Sequence, residues 1–209
     1  MTEASPAARV GRPRRSSRQM LEDAAAELFL EQGYPATSIE QITQRAGVSR
    51  NTFFNYFGAK ADLLWIDLDH SIAALVGALA TSGEASVGTP SGTALERLRA
   101  LILAVAAEHP ASRVPWAFSQ AELMGTRADL EASAPARLLA LSEAIASFVR
   151  AEFSEFIART IGSVAVGAIA AGVAAWITAG VRRDPLQAYV AAALAPALAG
   201  FTDTPGDPS

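Results

Sequence analysis

Apolar residues three or four positions apart dominate this chain. The longest stripe runs Leu138, Leu141, Ile145, Phe148, Val149, Phe153, Phe156 and Ile157, and a second runs Leu64, Leu68, Ile72, Leu75, Val76 and Leu79. Leu95, Leu98, Ile102 and Val105 repeat the spacing, as do Leu21, Ala25, Leu28 and Phe29. A period of 3.6 residues gathers each set on one face and leaves Arg and Glu on the other. Few windows show the two-residue alternation of a strand. The 46 alanines among 209 residues act in the same direction, because alanine has the highest helix propensity. The predicted fold is all-α.

Composition removes several classes of function. The chain is 51% hydrophobic and 18% charged, apolar enough for a core and too apolar for a disordered polymer. It has no cysteine, which excludes disulfides, a thiolate nucleophile and a Cys-based zinc site. Its two histidines, His70 and His109, are too few for a multi-histidine metal centre; His70 is expected on a helix surface and His109 in a loop. No Gly-rich phosphate loop or G-x-S-x-G elbow occurs, and the carboxylates are scattered over helix faces. The expectation is a non-enzyme without metal or cofactor. Met1 to Gly11 lacks the apolar region of a secretory signal, so a cytoplasmic location is expected. Residues 1–60 carry eight basic and six acidic side chains, a balance of +2, whereas the rest carries nine and fifteen, a balance of −6. A chain with that asymmetry can meet a polyanion at one end only.

Helix breakers set the organisation. Gly33-Tyr34-Pro35 ends a first helix of about Ser17 to Gln32, with Gly33 suited to a left-handed stop. Ala46-Gly47-Val48 separates two short helices, and Phe57-Gly58 precedes a longer one of about Lys60 to Ala80. Thr81 to Gly92 reads as a flexible connection. The stretch from His109-Pro110 to Pro115, Ser133-Ala134-Pro135 and Arg183-Asp184-Pro185 read as further punctuation. The expected division is a basic arm over 1–15, a three-helix domain over 16–62, a larger helical domain over 63–202, and a tail over 203–209.

The 16–62 segment carries the chemistry. Thr37 and Ser38 are both candidate caps for a short helix, with Glu40 and Gln41 at capping-box spacing. That helix stops at Gly47, and Ser49 caps the next. Two short helices about a glycine turn make a helix-turn-helix, whose second helix enters the DNA major groove. In it, Phe53 and Phe57 are expected to turn inward, leaving Arg50, Asn51, Thr52 and Asn55 outward. Arginine matches guanine O6 and N7, asparagine matches adenine N6 and N7, and the threonine methyl suits thymine. Tyr56, Lys60 and Thr37 are candidates for phosphate contacts. Upstream, Arg14 and Arg15 belong to an arginine-rich arm with Arg9, Arg12 and Arg18, suited to the minor groove or to solvent alone.

Gly33-Tyr34, Thr37-Ser38-Ile39, Ile42, Ala46-Gly47-Val48-Ser49, Thr52-Phe53-Phe54, Tyr56-Phe57, Lys60 and Leu63 resemble the TetR family of bacterial transcriptional regulators. The resemblance covers about 50 residues of the chain. It implies DNA contacts at Ser49 and Phe54 as well as the residues above. It also implies a homodimer that reads a palindromic operator and is released by a small effector. Phe54 stands where the family usually has tyrosine, Gly58 replaces a common proline, and Ala59 replaces the usual serine or asparagine cap. The run Phe53 to Phe57 with Trp65, Asp67 and Asp69 is similar to the mycofactocin-associated branch, which implies an acyl-type ligand.

Trp116, Phe118, Met124, Phe148, Phe153 and Trp176 are candidates to line a hydrophobic effector site, each equally readable as plain core. Phe156 belongs with them. Residues 161–181 run 21 positions without charge, long enough to span a bilayer. Seven alanines, four glycines and flanking Arg159, Arg182 and Arg183 suit a core or interface helix better, so no membrane is expected. With Leu186 to Phe201 that helix fits an isologous four-helix dimer interface, or the protomer core alone. A dimer would space two recognition helices roughly 34–36 Å apart, as two half-sites require. The rival reading is an all-α adaptor with no affinity for DNA.

Overall fold

The computed structural model describes residues 16–84, 92–109, 114–180 and 182–201, and every regular element among them is helical. The chain divides into two compact units, Met1–Lys60 and Ala61–Ser209.

In the smaller unit, α1 spans Ser17–Gln32, α2 Ile39–Ala46 and α3 Arg50–Phe54. Each starts at a serine whose side chain accepts a backbone N–H three residues on: Ser16 from Gln19, Ser38 from Gln41 and Ser49 from Thr52. For α2 the box is reciprocal, because Gln41 Oε1 accepts from the Ser38 N–H at 2.7 Å. Ser38 is therefore the cap, not Thr37. Gly47 ends α2 at φ 68°, ψ 30°, a left-handed conformation that a side chain would strain. Gly33 also has positive φ, but its ψ of 158° is not the left-handed stop expected. Leu21, Ala25, Leu28 and Phe29 of α1 bury against Ile42 and Ala46 of α2, and Phe53 and Phe57 complete this small core.

In the larger unit, a 3-10 turn (Lys60–Leu64, its first residue closing the smaller unit) precedes α4 (Ile66–Glu84) and α5 (Ala94–Glu108). The short α6 (Trp116–Ser119) and α7 (Ala121–Met124) lead to α8 (Arg127–Val149), α9 (Glu155–Thr178) and α10 (Leu186–Ala199). α9 packs against both α8 and α10, α10 against α5, and α4 against α5 and α8. Leu98, Ile145, Val149, Ile161, Trp176 and Leu194 have no exposed surface.

Four boundaries differ from the sequence expectation. α4 continues to Glu84, into the segment read as a flexible connection. Ser133-Ala134-Pro135 does not interrupt α8, where Pro135 lies inside the helix and Ser133 Oγ donates back to the Asp129 carbonyl at 2.5 Å. The long stripe from Leu138 to Ile157 is two helices, since Ser154 caps α9 by accepting from the Ile157 N–H. His109 is buried at the end of α5, not in an open loop. The tail over 203–209 lies outside the described residues, as does the arm containing Arg9, Arg12, Arg14 and Arg15.

α8 and α9 are each long and apolar enough to cross a membrane by length and composition. In this unit α9 instead buries Ala158, Ile161, Ala165 and Trp176 completely.

Candidate nucleic-acid interface and internal cavity

Phe53 is fully buried and Phe57 is 4% exposed, their ring centres 5.4 Å apart. This pair anchors α3 and sets which residues face out. Arg50, Asn51 and Asn55 are exposed, and Thr52 is half-buried beside Ser49, its Oγ1 2.9 Å from the Ser49 Oγ. Phe54 and Tyr56 also stand out, 45% and 44% exposed, an aromatic edge beside a polar face. The guanidinium of Arg50 pairs with Glu40 of α2 and lies over the Phe54 ring, a contact the sequence reading missed.

Two of the expected phosphate contacts sit differently. Thr37 is 2% exposed, and its hydroxyl donates to the Gly33 carbonyl at 2.9 Å, so the side chain ties the α1–α2 loop instead of reaching the surface. Lys60 Nζ donates to the Tyr34 and Thr37 carbonyls, each at 2.9 Å, and stands 4.0 Å from the Tyr34 ring centre. That ammonium is engaged in holding the same loop. Elsewhere on the unit, Arg45 of α2 bonds Glu27 and Glu31 of α1. Its hydrogen bond holds the Glu31 carboxyl below the usual carboxylate range, and Arg45 is held correspondingly high.

The larger unit contains a cavity of about 310 Å³, at the lower end of ligand pockets, which run to roughly 300–1,000 Å³. Its wall draws on Leu68, Ile72 and Leu75 of α4, Ile102 and Val105 of α5, Leu138 and Leu141 of α8, Val166, Ile169 and Val173 of α9, and Leu186 and Val190 of α10. Trp65 and Phe118 close one side, edge to face at 4.8 Å. The lining is hydrocarbon except for Ser71, whose Oγ lies 3.2 Å from His109 Nδ1, and the Trp65 indole N–H, which is given to Ser133 Oγ at 2.8 Å.

Of the six expected lining residues, Phe118 borders this cavity. Trp116 and Met124 are half-buried on α6 and α7 but lie off its wall. Phe148 sits under the Arg97 guanidinium and Phe153 packs on the core. Trp176 is wholly buried behind the wall, against the His109 ring and below Arg183, and its indole N–H has no hydrogen-bond partner among the described residues. Phe156 is 60% exposed. The wall is mostly aliphatic stripe, which no sequence pattern separates from solid core.

Beside the cavity, Arg137 of α8 joins three segments. Its Nε and Nη2 bond Asp69 at 2.7 and 3.0 Å, Nη2 also bonds Asp62 at 2.9 Å, and its plane lies 4.9 Å from the Trp65 ring centre. Burial lowers the guanidinium pKa, and the hydrogen bonds to Asp69 and Asp62 more than reverse this, leaving it above its ordinary value. The partners lie 68 and 75 residues from Arg137, so no local spacing announces them. Among the described residues, no cluster of His, Asp and Glu is placed to hold a metal.

Comparison with known proteins agrees with both units. The description "Bacterial regulatory proteins, tetR family" matches residues 21–64, and "MftR C-terminal domain" matches residues 93–202, more than half of the chain. The chain belongs to the TetR family. Within it, a putative mycofactocin biosynthesis transcriptional regulator, MftR of Mycobacterium tuberculosis, is 37% identical over 71 residues, covering 34% of this chain and 36% of that relative. The chain thus spans only about a third of that curated relative. Among solved structures, the fatty acid degradation regulator FadR of Bacillus halodurans aligns with TM-score 0.56 at 19% identity, over 91% of this chain and 99% of that one. FadR of Thermus thermophilus, a TetR-family repressor solved with lauroyl-CoA, aligns with TM-score 0.52 at 25% identity, over 91% and 100%. As a TetR-family protein, this chain is similar to relatives described as regulators, not as enzymes. The helix-turn-helix expected from Thr37 to Phe57 coincides with the family match, and so does the mycofactocin-branch resemblance.

Proposed function

We propose that this protein is a ligand-responsive transcriptional repressor that binds a palindromic operator as a homodimer and releases it when a hydrophobic, acyl-type effector fills the cavity. The carrying observation is the α3 face, where Arg50, Asn51 and Asn55 are exposed above a buried Phe53–Phe57 pair. That arrangement suits base-edge readout in a major groove, with Thr52 at its margin and Tyr56 and Phe54 beside the backbone.

The cavity supports the effector half. Its hydrocarbon wall suits an alkyl chain. The lauroyl-CoA of the Thermus thermophilus relative makes that ligand the natural probe. A dimer is supported by the outer faces of α9 and α10. Ser163, Gly167, Ala171, Ala175 and Ala188, Ala192, Ala195, Ala199 are exposed there, small and uncharged, as close helix approach requires. A protein of this kind acts in the cytoplasm, where the operator is.

Selection of duplexes from a random pool tests the reading, followed by titration with salt and with lauroyl-CoA. Affinity for the selected duplex should fall steeply as salt rises, and lauroyl-CoA should lower it further. Indifference to every duplex at low ionic strength would leave the adaptor reading in its place.

A further inference from the structure

Arg50 opens α3, and its guanidinium is held from two sides. Nη1 pairs with Oε1 of Glu40, from the first turn of α2, and the guanidinium carbon stands 5.4 Å from the centre of the Phe54 ring. The pair is well exposed, 56% for the Arg50 side chain and 64% for that of Glu40, so solvent screening leaves it little to add to stability. A carboxylate beside a face that meets phosphates also opposes binding in general. The first turn of α2 favours a carboxylate at Glu40 whether or not it meets Arg50, so neither fold stability nor affinity accounts for its pairing with that guanidinium.

Orientation does. A free arginine side chain has many rotamers, and a bidentate contact must select one. With Nη1 on the carboxylate and the plane on the ring, the remaining edge carries Nε–H and Nη2–H side by side. That edge is the two-donor fork that matches guanine O6 and N7. Arg137 uses the same Nε and Nη2 edge on Asp69 within this protein.

We propose that Glu40 is a positioning residue for base reading, holding Arg50 so that its Nε–Nη2 edge addresses one guanine. This rests on the DNA-reading function proposed above. It has a two-sided consequence. Removing the Glu40 charge raises affinity for every duplex and lowers discrimination at the single base pair that Arg50 reads.

The test uses the full chain, its pool-selected duplex and that duplex with each base pair replaced in turn. Arg50→Ala identifies the pair concerned, where discrimination should fall by about 5- to 150-fold, the change to which 1–3 kcal/mol corresponds. Glu40→Gln should bind all duplexes more tightly and lose severalfold discrimination at that pair alone. Glu40→Asp keeps the charge but shortens the reach, so discrimination should fall there without the general gain. Adding Arg50→Ala to Glu40→Gln should cost nothing further at that pair beyond Arg50→Ala itself. Discrimination that survives Glu40→Gln, or that falls equally at all positions, overturns this assignment alone. Wild-type indifference to sequence overturns the DNA reading and this assignment with it.

Discussion

Gly172 of α9 faces the backbone of α10 so closely that one methyl group is a sharp perturbation. A Cβ there would lie 2.9 Å from the Val190 Cα and 3.1 Å from the Tyr189 carbonyl carbon and oxygen. Carbon atoms in contact prefer about 3.5–4.0 Å, so Gly172→Ala forces the two helices apart by roughly 0.6–1.1 Å. The obstructing atoms are all main chain, and no rotamer change relieves them. Overpacking of this kind costs about 1–3 kcal/mol, and the better helix propensity of alanine returns about 1 kcal/mol. The net loss should be at most about 2 kcal/mol. Gly77 in α4 has nothing within 4 Å of the same added atom, so Gly77→Ala should gain about 0.5–1 kcal/mol from propensity alone. Urea unfolding followed by tryptophan fluorescence is the assay. All three tryptophans, Trp65, Trp116 and Trp176, lie in the larger unit, so the signal reports that unit. A Gly172→Ala midpoint raised above that of wild type as far as that of Gly77→Ala would refute the claim that α9 and α10 meet main chain to main chain.

Three further outcomes follow from other parts of the molecule. Val173→Trp places an indole in the cavity from α9 and should abolish lauroyl-CoA binding; duplex release by lauroyl-CoA in that variant would count against the cavity as the effector site. Gly167→Arg places a charge in the exposed small-residue face of α9 and should shift sedimentation from dimer to monomer without loss of helix content. Because the Arg45 hydrogen bond holds the Glu31 carboxyl low, the α1–α2 tie is fully present above the ordinary glutamate pKa of about 4.3 and is lost as pH falls through the lowered folded value. Arg45→Ala should therefore differ from wild type at neutral pH and converge with it in acid, as followed by circular dichroism.

How much was legible differed between the units. In the smaller unit the determinants are local: serine caps at fixed spacing, a glycine forced to positive φ, and Phe53 and Phe57 one turn apart. Such features are written within a few residues of the structure they cause. The side chains of Thr37 and Lys60 turn back onto carbonyls of the α1–α2 loop, and residue type alone gives no hint of that partner. The cavity was less readable still. Aromatic residues are the obvious candidate lining, yet Trp176 fills solid core and Phe148 packs half-buried at its edge, and the space is bounded by Leu, Ile and Val whose spacing is that of any buried helix. Pro135 misled for a different reason: a proline ends an isolated helix, whereas packing of α8 against α4 and α9 carries the chain through it.

The apolar cavity among α4, α5, α8, α9 and α10 is also a gap in the packing, since those helices border space that side chains would fill in a more tightly packed domain. An occupant therefore completes the hydrophobic centre as well as carrying a message. By mass action, saturation at a hundred times the dissociation constant adds about 2.7 kcal/mol to the folded state, a large share of what holds an ordinary domain together. Melting temperature thus becomes a label-free screen for candidate effectors. If the proposed effector fills the cavity, the empty form is the one more open to proteolysis, and the protein's abundance in the cell should rise and fall with that effector.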